Sequence, residues 1–163
     1  MDRAVARPVA IAIGSNLGDR HGAVAFAVER LSTFITGLTV SALIETEPEG
    51  EGLGEQPLYL NAVAVGRTEL DARRLLDALL AIENAHGRER PYPNAPRTLD
   101  LDLVLLDDTI VTDRPDLQVP HPRFRERFFV LGPLAEVAPD MIDPVTGLKV
   151  WELLRRLLAD ERR

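Results

Sequence analysis

The sequence contains no cysteine. That excludes disulfides, thiolate metal sites and cysteine nucleophiles together, and it fits a reducing cytoplasm. Lysine is nearly absent as well: of 19 basic residues all but Lys149 are arginine. Long apolar runs are missing, every one falling far short of the ~20 residues that a membrane helix needs. Met1-Asp2-Arg3 leads into no continuous apolar stretch of the kind a secretory signal carries. Positive charge is in deficit, with a formal net charge of -7, which argues against a nucleic-acid partner bound by bulk electrostatics. Two phosphate-binding signatures are absent too. No G-x-x-x-x-G-K-[ST] occurs, which rules out a P-loop kinase, and the turn from Gly14 to Gly18 does not fit G-x-G-x-x-G.

What is present is an ordinary globular composition, 45% apolar and 28% charged. At 163 residues the chain is long enough for one domain, 1–163, with a substantial core. The apolar run 9–13 reads as a buried strand, closed by a turn at 14–19 whose last residue, Asp19, can cap a helix. Val24, Val28, Leu31 and Ile35 recur at helical spacing, and Gly37 marks the expected end of that helix. A second strand is expected over 38–46, then a long Pro-, Gly- and Glu-rich loop to Pro57, then a third strand over 59–68. Asp71 is placed to cap a second helix with Leu75, Leu76, Leu79 and Ile82 facing inward and Gly87 at its end. After a loop at 87–96, a fourth strand runs over 98–106. A hairpin-like piece, a Pro-bounded segment at 119–127 and two helices near 130–137 and 150–158 complete the chain. The order β-α-β, β-α-β and then helices predicts an α+β sandwich, ferredoxin-like βαββαβ with an antiparallel sheet, helices on one face and C-terminal helical additions.

Four stretches carry candidate chemistry. On the fourth strand, alternation turns Leu99, Leu101, Leu103 and Leu105 to the helices and Asp100 and Asp102, with Thr98, to the other face. Two carboxylates at i and i+2 can hold an oxygen-loving Mg2+. A solvated strand face also reads Leu-Asp-Leu-Asp; what favours a metal is that Asp is a poor strand former and that Arg97 lies just upstream. Arg88, Arg90 and Arg97 share the loop leading into this strand, and their planar forks suit phosphate oxygens. The segment Pro120-His121-Pro122-Arg123-Phe124-Arg125-Glu126-Arg127 is rigid, basic and aromatic, a composition that suits a nucleotide. Tyr59 and Asn61 fall on one strand face, a ring and an amide suited to a flat heteroaromatic with paired donors and acceptors.

Taken in order, Gly14-Ser15-Asn16-Leu17-Gly18-Asp19, Glu45-Thr46-Glu47-Pro48, Tyr59-Leu60-Asn61-Ala62-Val63, Gly87-Arg88-x-Arg90, Pro96-Arg97-Thr98-Leu99-Asp100-Leu101-Asp102 and Val119-Pro120-His121-Pro122-Arg123 resemble the hydroxymethyl-dihydropterin pyrophosphokinases of folate biosynthesis. The resemblance runs through almost the whole chain. It implies an enzyme that moves pyrophosphate from Mg-ATP to the hydroxymethyl group of 6-hydroxymethyl-7,8-dihydropterin, releasing AMP. By the same resemblance Asp100 and Asp102 ligate two Mg2+ ions, and Arg88 and Arg97 assist transfer beside them. Glu83, Arg88, Arg90, Arg97, His121 and Arg127 bind ATP, and Thr46, Tyr59, Asn61 and Phe129 hold the pterin. The implied partners are these small molecules alone, with neither nucleic acid nor membrane, in a cytoplasmic monomer or weak dimer. The chain departs from the pattern at 90–94, Arg-Pro-Tyr-Pro-Asn, where many members carry a tryptophan. Two other classes compete: a ferredoxin-like ligand-sensing module without chemistry, and a two-metal nucleotidyltransferase, which the acidic balance disfavours.

Overall fold

The computed structural model describes residues 5–47, 58–87 and 99–161. Strand β1 (Arg7–Ser15) leads through a turn into helix α1 (Arg20–Leu31), with Asp19 Oδ1 accepting the Gly22 N–H at 2.9 Å as its cap. The helix ends at Leu31, six residues before the glycine expected to stop it. Ser32 and Thr33 are the reason: their hydroxyls donate back to the Glu29 and Arg30 carbonyls at 2.6 and 2.7 Å, a local bond that competes with helix propagation. Ile35 still reaches the core, carried there by the turn, and Gly37 lies at φ +62° inside the next strand.

The single strand expected over 38–46 is two pieces, β2 (Thr36–Val40) and β3 (Ile44–Thr46), both antiparallel to the long strand β4 (Tyr59–Thr68). Ser41 makes the break. Its hydroxyl accepts the Val63 N–H at 2.9 Å, a ladder bond that a backbone carbonyl would otherwise supply. Helix α2 (Ala72–Gly87) begins as anticipated, with Asp71 Oδ1 accepting from the Arg74 N–H at 2.9 Å. Strand β5 (Asp100–Leu106) follows, then the small hairpin β6 (Val111–Arg114) and β7 (Leu117–Val119), a 3-10 turn over Phe124–Glu126, and helices α3 (Phe128–Val137) and α4 (Val150–Glu161).

The main sheet runs β2-β4-β1-β5 with β3 also on β4, and each of its pairs is antiparallel. With β2 and β3 taken as one interrupted strand, that order is compatible with the ferredoxin-like plan, and the fold is α+β. The helices are not confined to one face. One core layer joins Ile11, Ile13, Leu31, Leu75, Leu79 and Leu103 beneath α1 and α2. A second joins Ala10, Val63, Phe124, Leu131, Leu134 and Leu153 under α3 and α4. The C-terminal helices therefore cover part of the face expected to be open.

Leu105 also departs from simple alternation. The β1–β5 register shifts between Ala10 and Ile11, which pair with Leu105 and Leu103, so Val104 is an extra residue in the strand. Beyond this bulge Leu105 turns to the α3–α4 layer and Leu106 to the α1–α2 layer. The bulge also directs the Val104 carbonyl to the His121 N–H, at 2.9 Å, which ties the His121 segment to the strand carrying Asp100 and Asp102.

Candidate active site

Cross-strand register builds the site. Ile44 pairs with Asn61, Asn61 with Gly14, and Gly14 with Asp100, so these four form one row across the sheet. In the row two residues along β1, Val63, Ala12 and Asp102 stand side by side on the same face. Thr46 and Tyr59 form the neighbouring row on the opposite side. Residues far apart in sequence thus share one face at one end of the sheet. They line a cleft of about 240 Å³ with Arg127 and Phe129, which come from the start of α3. Gly14 and Ala12 keep the floor thin: a Cβ on Gly14 would stand 3.6 Å from Asn61 Oδ1 and 3.9 Å from Tyr59 Cδ1, in the space between them.

Asn61 is 6% exposed and well oriented. Its Nδ2 donates to Thr46 Oγ1 at 2.7 Å and to the Ile44 carbonyl at 3.4 Å, which leaves Oδ1 over Gly14 as the acceptor the cleft presents. Tyr59, half-buried, forms the adjoining wall. Arg20 closes the base of this end by donating to the Leu58 carbonyl at 2.8 Å and to Glu45 Oε2 at 3.4 Å, one cation joining β3 to the residue before β4. Sequence reasoning passed over Arg20. Its only signal was an arginine in the first turn of a helix, where a cation is electrostatically out of place.

On the other side of Gly14 the carboxylates of Asp100 and Asp102 are both exposed, while Leu101 between them is buried on the opposite face. The pair fits Mg2+. Both donors are hard oxygens, and no group of three or more His, Cys, Asp or Glu residues suited to a metal occurs among the described residues. Mg2+ suits such an incomplete shell, since it is commonly held by one or two carboxylates together with substrate phosphates and water. Glu83, near the end of α2, accepts the Leu101 N–H on Oε2 at 2.7 Å.

His121 and Arg127 lie toward Asp102. His121 Nδ1 accepts the Arg123 N–H at 3.1 Å, so the neutral ring carries its proton on Nε2. Burial pushes the imidazole below its ordinary value; Arg127 and Arg123 push the same way and Asp102 opposes them, so the ring is neutral at neutral pH. The Arg127 guanidinium carbon lies 5.6 Å from the Phe129 ring centre, within cation-π range. Behind them Arg125 is held by Asp143, which is fully buried, through two bonds of 2.6 and 2.9 Å. Asp143 also accepts from the Val145 N–H at 3.0 Å and the Thr146 hydroxyl at 2.8 Å. That anchor went unread in the sequence, although Asp143-Pro144-Val145-Thr146-Gly147 is a recognisable Asx-turn pattern.

Of the expected site residues, Thr46, Tyr59, Asn61, Asp100, Asp102, Arg127 and Phe129 line the one cleft. His121 and Glu83 stand beside it, each bonded to β5 backbone. Arg88, Arg90 and Arg97, with the segment at 90–94, lie outside the described residues.

An α+β sheet with a flat amide-and-ring slot next to paired carboxylates suits a transferase that moves a charged phosphate group onto a small planar acceptor. Residues 10–139 match the 7,8-dihydro-6-hydroxymethylpterin-pyrophosphokinase family. The chain is 39% identical over 152 residues to the 2-amino-4-hydroxy-6-hydroxymethyldihydropteridine pyrophosphokinase of Bacillus subtilis, covering 87% of this chain and 89% of that one. It is 40% identical to the Pseudomonas aeruginosa protein of the same name, covering 90% and 89%. A folic acid synthesis protein of Pneumocystis carinii is 37% identical over 92% of this chain, but the match spans only 20% of that longer protein. The crystal structure of Plasmodium falciparum HPPK-DHPS superposes with a TM-score of 0.75 over 98% of this chain and 46% of that one, at 11% identity, a likeness of fold. The chain belongs to the 7,8-dihydro-6-hydroxymethylpterin-pyrophosphokinase family. It is an enzyme, a diphosphotransferase with ATP as co-substrate and small-molecule substrates, and no helix among its described residues is long and apolar enough to cross a membrane.

Proposed function

We propose that residues 1–163 act as one catalytic unit that transfers pyrophosphate from Mg-ATP to the hydroxymethyl oxygen of 6-hydroxymethyl-7,8-dihydropterin. The products are AMP and the pterin diphosphate, an activated intermediate of folate biosynthesis. The observation that carries this reading is the adjacency across Gly14 of an acceptor slot, Asn61 and Tyr59, and a metal edge, Asp100 and Asp102.

In this reading the pterin lies against Tyr59 and Phe129, with the Asn61 carboxamide, held by Thr46, reading its polar edge. Asp100 and Asp102 would hold two Mg2+ ions, which would supply neutralisation of the phosphate charge and polarisation of the bond to be broken. Glu83, His121 and Arg127 contact the nucleotide, together with Arg88, Arg90 and Arg97. Arg88 and Arg97 stabilise the charge that gathers on the α–β bridging oxygen as AMP leaves. A neutral His121 suits hydrogen bonding to a nucleotide from Nε2. We assign the enzyme to the cytoplasm as a monomer or weak dimer, in keeping with the absence of cysteine.

The test is to incubate the protein with ATP, Mg2+ and 6-hydroxymethyl-7,8-dihydropterin and to resolve the nucleotides formed. AMP equal in amount to a pterin diphosphate is the expected result. ADP would overturn the pyrophosphoryl assignment and leave a simple kinase. No pterin-dependent turnover would restore the ligand-sensing module.

A further inference from the structure

Strand β5 is the outer strand of the main sheet, so one edge of its backbone has no strand partner among the described residues. Leu101 sits opposite Ile13 of β1 and sends its N–H to that open edge, where Glu83 Oε2 receives it at 2.7 Å. At 2.7 Å the bond is at the short end of the range for an N–H donor to oxygen. Leu101 lies between the two exposed aspartates, and its own side chain is buried against the α1–α2 layer. The peptide from which Asp100 and Asp102 project is thereby held at its side chain by the core and at its N–H by α2. The contact joins residues 18 apart in sequence, one on α2 and one on β5.

We propose that Glu83 is a positioning residue for the metal pair, acting through the Leu101 peptide to fix the direction in which the Asp100 and Asp102 carboxylates leave the strand. The proposal rests on the reading of those two residues as metal ligands and goes beyond Glu83 as a nucleotide contact. Carboxylates two residues apart can share or bridge cations only if the intervening backbone does not twist. An edge strand held from one side is free to twist about that side's hydrogen bonds. Glu83 removes this freedom at the one peptide where it matters for both ligands. Outer partners of this kind typically contribute about 10- to 100-fold in metal affinity.

The test uses Mn2+ as probe in the presence of α,β-methylene-ATP, which cannot transfer pyrophosphate, with bound Mn2+ read by electron paramagnetic resonance. The parent protein, Glu83→Ala and Glu83→Gln are compared after thermal melting has shown each to be folded. Amide hydrogen exchange at Leu101 is measured in parallel in metal-free protein. Glu83→Ala is expected to weaken Mn2+ binding by about 10-fold or more and to speed Leu101 exchange by about 10-fold. Glu83→Gln, whose carbonyl oxygen still accepts the N–H, should recover most of both. Parent-like Mn2+ binding in Glu83→Ala would overturn the proposal. Equal loss in Ala and Gln would also overturn it, since charge and not position would then be responsible. Failure of the metal reading itself looks different: the parent and Asp100→Ala would bind Mn2+ equally weakly, and the proposal would fall with that reading.

Discussion

Asn61 donates from Nδ2 to Thr46 Oγ1 at 2.7 Å, diagonally across the β3–β4 pair. The bond turns a residue that could satisfy itself in several ways into a fixed acceptor facing the cleft. Asn61→Ala should therefore weaken binding of 6-hydroxymethyl-7,8-dihydropterin by about 1–3 kcal/mol, the cost of a ligand polar group left unpaired, with little change for ATP. Thr46→Val keeps the shape but removes the orienting acceptor, and should give a smaller loss in the same direction. Calorimetric titration with each ligand checks this. Equal loss for both ligands, with a lowered melting temperature, would make Asn61 a packing residue only.

Asp100 and Asp102 project from exposed positions, so Asp100→Ala and Asp102→Ala should leave stability within about 0.5 kcal/mol of the parent. Turnover should fall by about 100-fold or more in each, because phosphate charge is then poorly neutralised in the transition state. Steady-state assays across a Mg2+ series separate this from weakened metal binding alone. Near-normal turnover at saturating Mg2+ in either variant would remove the two-metal assignment.

His121 has a folded-state midpoint below the ordinary imidazole value of about 6.5. Between the two midpoints the unfolded chain binds more protons than the folded one, so stability rises with pH through that window and falls on acidification from about 6.5 downward. In metal-free protein, an NMR titration of the His121 ring should show the lowered midpoint. Arg127→Gln should move it up and Asp102→Asn should move it further down, following the charges that act on it. A midpoint unmoved by either change would mean that burial alone sets it.

Elements whose signals are local were legible in the chain. Residues 59–68 read as a strand, and β4 has those bounds. The Asp71 cap followed from one side chain beside an apolar helical stripe. Tyr59 and Asn61, or Asp100 and Asp102, could be set on one face from alternation alone. That the two pairs share a single face required cross-strand register, which depends on partners up to about 90 residues away in this topology and on where bulges fall. Leu105 shows the cost: a single extra residue at Val104 reversed its face. The covering of the second face by α3 and α4 was likewise hidden, since apolar periodicity reports that a helix is buried but not against what.

Arg125 and Asp143 anchor the segment that carries His121 and Arg127. Burial pushes the Asp143 carboxyl up, but bonds from Arg125, Thr146 and the Val145 N–H outweigh it and hold the group below the ordinary carboxylate value. A lowered folded-state value means that its stabilisation is fully present above the unfolded value of about 3.9 and is lost as pH falls through the lower folded value. Arg125→Ala leaves that buried carboxylate with two donors and no cation. We expect a loss of about 3 kcal/mol at neutral pH, the low end for a broken buried pair, because Arg125 keeps 25% of its side chain exposed. Without the cation, burial should dominate and raise the carboxyl above its unfolded value. The sign of the linkage then reverses, and acidification through the carboxylate range should narrow the deficit between variant and parent. Denaturant melts at neutral pH and at about pH 4 test this. A deficit that is constant or grows on acidification would show that Asp143 stays ionised without Arg125. Because Arg125 lies between Arg123 and Arg127 in the chain, the same variant should raise the KM for ATP more than that for the pterin.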